Sequence, residues 1–114
     1  MKDLASTFAV LSGMLRRHSA GMVVKIDEPS HFYAERYPVE PKGKPGFFGA
    51  VQIRKSYVSY HLMPVYEDPS LLTGISDALR KKMQGKSCFN FSMEDPVLFA
   101  ELDTLTRRCA ESSR

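Results

Sequence analysis

No stretch of this sequence approaches the ~20 consecutive apolar residues that a helix needs to cross a bilayer, so membrane insertion is not expected. Cysteine is also scarce. Cys88 and Cys109 are the only two, and a chain of 114 residues can bury a core without a bridge. Two free thiols in a reducing compartment is therefore the expected state, with a single disulfide the alternative. Charge of one sign is lacking too: 16 basic and 13 acidic residues leave a formal net charge of +3, which permits an anionic partner without requiring one. The apolar run 4–15 does not read as a cleaved leader, because Asp3 spoils a basic start and Arg16-Arg17 follow the run directly. A cytoplasmic location fits these readings.

Motifs that announce chemistry are equally sparse. His18, His31 and His61 are far apart, without the i, i+4 spacing of a zinc site. There is no Gly-x-Ser-x-Gly elbow and no evident pair of catalytic carboxylates. Gly85-Lys86-Ser87 has Arg80 where a phosphate loop needs its first glycine, and it follows a helical stripe instead of preceding one. An enzyme is the less favoured expectation, and a non-enzymatic binding protein the favoured one.

What is present is a run of periodic segments. Leu4, Phe8, Leu11 and Leu15 share one face of a helix over 3–18, which Asp3 can cap. Residues 22–27 read as a strand with Met22, Val24 and Ile26 on one face, and 31–36 as a second. Three prolines and two glycines make 37–46 a loop. Two strands follow, 47–54 and 57–63, close enough in sequence to pair antiparallel. Leu71, Ile75, Leu79 and Met83 then predict a helical stripe, broken near Thr73-Gly74, restarted with Ser76 as cap and ended by Gly85. A strand over 87–92 leads to a last helix opened by Asp95-Pro96 and closed by Arg107 and Arg108, with the terminal residues from Glu111 disordered. This order predicts one α+β domain over 1–114, an antiparallel sheet with helices packed on one face.

The segment from Phe47-Phe48-Gly49-Ala50-Val51 through Tyr57-Val58-Ser59-Tyr60-His61-Leu62-Met63-Pro64, then Leu79 to Phe91 with its Gly85-Lys86 turn into an aromatic strand, resembles the YdhG-type domain-of-unknown-function family. The resemblance covers about Phe47 to Arg108. It implies the frataxin-like (YjbR/CyaY-like) α/β sandwich, and an accessory role in iron handling or iron–sulfur cluster assembly. The acidic ridge that such a role implies is reduced to Asp3, Asp27 and Glu28.

Two further groups of residues are candidates. Arg80, Lys81, Lys82 and Lys86 form a basic cluster that, with Lys42, Lys44, Arg54 and Lys55, supports an alternative reading as an adaptor for nucleic acid or another anionic ligand, with Tyr57 or Phe48 for stacking. Strand alternation places Val58, Tyr60 and Leu62 toward the helices, and so Tyr57, Ser59, His61 and Met63 on the opposite face beside Gln52 and Arg54. Tyr, Met and Arg are enriched where partners dock, which makes this face a candidate site for a protein or a small molecule. The alternative is that the loop 38–46 covers Tyr57 and His61.

Overall fold

The computed structural model describes residues 3–36 and 46–112. Helix α1, Leu4–His18, starts where the Asp3 carboxylate accepts a hydrogen bond from the Ser6 amide, and it buries Phe8, Leu11, Met14 and Leu15. Four strands follow: β1 (Val23–Glu28), β2 (His31–Glu35), β3 (Phe47–Ile53) and β4 (Val58–Leu62). After them come a short helix α2 (Met63–Glu67), a 3-10 turn (Pro69–Leu72), a single turn α3 (Asp77–Arg80), the hairpin of β5 (Met83–Gln84) and β6 (Cys88–Phe91), and helix α4 (Pro96–Ser112). The strands form one six-stranded antiparallel sheet in the order β1-β2-β3-β4-β6-β5. The α+β class and the packing of the helices on the sheet are as the sequence predicts. No helix among the described residues is long and apolar enough to cross a membrane.

The core lies between the sheet and the pair α1 and α4. Phe32, Ala34, Val51, Val58, Tyr60, Leu62, Phe89 and Phe91 project from the strands into it and are essentially inaccessible. Gly49 permits the close approach of α1: a Cβ there would stand 2.8 Å from the His61 carbonyl oxygen and 3.2 Å from Leu15 Cδ1. One polar chain crosses the core. Thr106 Oγ1 donates to the Leu102 carbonyl at 2.8 Å, which leaves its oxygen to accept from the Tyr60 hydroxyl at 2.7 Å. The two helices are tied by Arg17 and His18 to Asp103, and Ser6 donates to Glu94 in the segment just before α4.

Several expectations are corrected. Met22, Val24 and Ile26 do not share a face, because the register shifts between Val24 and Ile26; Met22 is buried while Val24 stays 43% exposed. Met63, expected as the last residue of a strand, instead opens α2, with Pro64 in the first turn where its missing N–H costs nothing. The stripe Leu71, Ile75, Leu79, Met83 is divided among a 3-10 turn, one helical turn capped by Ser76 and a strand. Segments this short gain little as isolated helix. Met83 instead pairs with Phe89, and Gly85, at φ 80°, makes the hairpin turn instead of capping a helix. Helix α4 runs through Glu111 to Ser112, so Glu111 is not a disordered tail; Arg107 pairs with Glu111, and Arg108 reaches the Leu71 and Thr73 carbonyls at 3.3 and 3.1 Å. Both cysteines are free thiols.

Candidate functional site

The ladder registers fix which side chains share the face turned away from α1 and α4. One row runs Ile26, Tyr33, Ala50, His61, Cys88, Gln84; the next runs Glu28, His31, Gln52, Ser59, Asn90. Most of these residues are half-buried. Phe47 joins the first row through the bulge that pairs it with Glu35. Its ring stacks on Tyr33 at 4.8 Å and meets the His61 ring edge-on at 4.8 Å, bridging the position of Ala50, whose methyl group is too short to separate them. His31 meets Tyr33 edge-on at 6.4 Å. An array of four rings thus spans three strands.

Polar groups lie directly beside this array. His61 Nε2 is 2.8 Å from the hydroxyl of Ser87, which is itself buried. Burial lowers the His61 pKa below its ordinary value, so the imidazole is neutral at neutral pH and offers one donor and one acceptor. Cys88 is its cross-strand neighbour. Desolvation raises the thiol's pKa, while a hydrogen bond from Ser59 and the charge of Arg54 act against that shift. The thiol stays protonated at neutral pH, which argues against a nucleophilic role.

Of the six residues expected on this face, Gln52, Ser59 and His61 lie in the ladder rows, and Gln52 pairs with Ser59. Arg54 and Tyr57 flank the β3–β4 turn, where the Arg54 amide donates to the Tyr57 carbonyl at 2.7 Å. Met63, expected among them, belongs to α2. Whether the loop 38–46 covers the face lies outside the described residues except for Gly46. Tyr33, Phe47 and Ser87 were missed. Alternation in β2, with Phe32 and Ala34 buried, would have placed Tyr33; Phe47 depends on a bulge that no sequence pattern announces.

The three acids do not converge. Asp3 caps α1, and Asp27 is held by both terminal nitrogens of Arg16 at 2.6 and 2.8 Å, which lowers its carboxyl pKa. Glu28 ends β1 opposite His31. Among the described residues no three His, Cys, Asp or Glu side chains come together as a metal ion would require.

The basic cluster divides. Lys82 turns its ammonium toward the Phe91 ring, 6.0 Å from its centroid, and Lys81 is the exposed C-cap of α3. Arg80 and Lys86 line a separate cleft with Tyr66. Phe48, considered as a stacking residue, is fully buried and unavailable. Lys42 and Lys44 lie outside the described residues.

In comparisons with known proteins, no family model matches the chain, and no curated protein or solved structure does either.

Proposed function

We propose that this protein is a non-catalytic accessory protein that docks a protein partner on the sheet face opposite its helices. The observation that carries the reading is the half-buried array His31, Tyr33, Phe47 and His61, with Gln52, Ser59 and Asn90 beside it. A sheet face that only meets water more often carries Lys, Glu and Thr. Rigid rings interleaved with uncharged hydrogen-bonding groups are the composition of an interface core, where charged residues are depleted. Among the face residues described, the partner would meet charge at Glu28 and Arg54 and at Glu35, which pairs with Phe47 and lies 4.0 Å from the Lys25 ammonium.

The family resemblance suggests iron or iron–sulfur assembly as the process served. In that case the contribution is docking to another protein, since Asp3 and Asp27 already serve as a helix cap and an ion-pair partner.

Affinity capture from cells that make the protein, followed by binding measurements with the purified captured protein, tests this. A partner that binds the wild type and Thr104→Ala equally, but Tyr57→Ala and His61→Gln at least about tenfold more weakly, is the expected result. A ferrous iron titration should show no saturable micromolar site. A partner indifferent to the face variants, or tight iron binding abolished by Asp27→Asn, would overturn the reading.

A further inference from the structure

The cleft between α2 and the β5–β6 hairpin shares no residue with the open sheet face, and its chemistry is different. It is an open cleft of about 570 Å³, inside the range of roughly 300–1,000 Å³ typical of small-ligand sites. Its floor is apolar, made by Pro69, Leu72 and Met83, and its walls carry Tyr66, Arg80 and Lys86. Tyr66 is 55% exposed, which leaves its aromatic surface accessible to a ligand. Lys86 Nζ lies 5.8 Å from the centroid of that ring, so a cation is already held at the aromatic surface.

Neither cation of this cleft is in an ion pair among the described residues. Arg16, Arg17, Arg36 and Arg107 each hold a carboxylate, and Arg108 holds two carbonyls. Among the described residues the Arg80 guanidinium has no such partner, and neither does the Lys86 ammonium. The acids nearest in sequence to Tyr66 are engaged elsewhere, Glu67 with Arg36 and Asp68 with Ser70. Gly85, at φ 80° with open space where a Cβ would lie, keeps the hairpin turn beside Lys86 unobstructed.

We infer that this cleft binds a small aromatic anion of the nucleoside monophosphate type, with its ring against Tyr66 and the apolar floor and its phosphate between Arg80 and Lys86. Two cations and one aromatic wall match a ligand that carries both a flat ring and a compact anion. Neither half alone uses the whole site.

Calorimetric titration with adenosine monophosphate, adenosine and inorganic phosphate, together with a single-stranded oligonucleotide of about eight residues, tests the assignment. Saturable binding of the monophosphate is expected, with adenosine and phosphate each about tenfold weaker or more. Arg80→Ala and Tyr66→Ala should each weaken the monophosphate by about tenfold, Tyr66→Phe should retain it, and Lys55→Ala, at the β3–β4 turn, should have no effect. Phosphate binding as tightly as the monophosphate would overturn the inference, as would indifference to Arg80→Ala and Tyr66→Ala. An oligonucleotide bound about a hundredfold more tightly, with a steep salt dependence, would also overturn it, in favour of a nucleic-acid surface.

Discussion

The two faces of the sheet are built from the same strands but bear different loads. Toward the helices, alternate residues such as Val58, Tyr60, Leu62, Phe89 and Phe91 are sealed from water, and the hydroxyl carried inward by Tyr60 has its partner in Thr106. On the other face, Tyr33, Phe47, His61 and Ser59 are only half-buried, and their polar atoms sit beside rings instead of in a dry core. Equal chain length therefore yields unequal dependence of stability on sequence. The helix side should tolerate little change, while the open side should tolerate much and reveal it in binding.

The intolerance of the helix side should be greatest at Gly49. Gly49→Ala should destabilise the fold by about 3 kcal/mol in urea unfolding, because the new methyl meets the His61 carbonyl and the tip of Leu15 at once. A loss near zero would mean that α1 is not held against β3 as described. The polar chain comes next. Thr106→Val leaves the Tyr60 hydroxyl buried without a partner and should cost about 2 kcal/mol, whereas Tyr60→Phe removes the hydroxyl itself and should cost about 1 kcal/mol. The reverse order would show that Tyr60 has another acceptor.

Substitutions on the open face should have smaller effects. Tyr57→Ala should change stability by no more than about 1 kcal/mol, with the urea midpoint as the readout. His61 should add a modest pH dependence. Its folded-state pKa is lowered, so between that value and the ordinary value near 6.5 the unfolded chain binds more protons than the folded one. Stability should therefore decline as pH falls below about 6.5 and be fully present above it. Thermal melts of wild type and His61→Gln at pH 7.5 and pH 5 check this; the variant should lose less on acidification, and equal losses would assign the dependence to other groups.

Where sequence and structure agree, a single local cause suffices. The stripe Leu4, Phe8, Leu11, Leu15 under the Asp3 cap gives α1, and Val58, Tyr60, Leu62 give the inward face of β4. Disagreement arises where pairing decides. Met83 keeps the spacing of a helical stripe, but β6 presents an edge that Met83 and Gln84 fill, and tertiary pairing overrides the periodicity. The open face was legible in β4, where one strand's alternation is enough, but not at Phe47, whose place depends on a bulge opposite Glu35. The cleft at Tyr66 escaped for a related reason. Arg80 and Lys86 are neighbours in sequence, but Tyr66 joins them only through the path of α2 and the 3-10 turn.

Photo-crosslinking in living cells shows whether the open face receives a protein partner. A photoreactive amino acid placed at Ser59, on the open face, should yield a discrete adduct larger than the chain alone, and the same group at Thr104, exposed on α4, should not. The same adduct from both positions, or none from Ser59 while the protein remains folded, would mean that the open face is not where a partner docks.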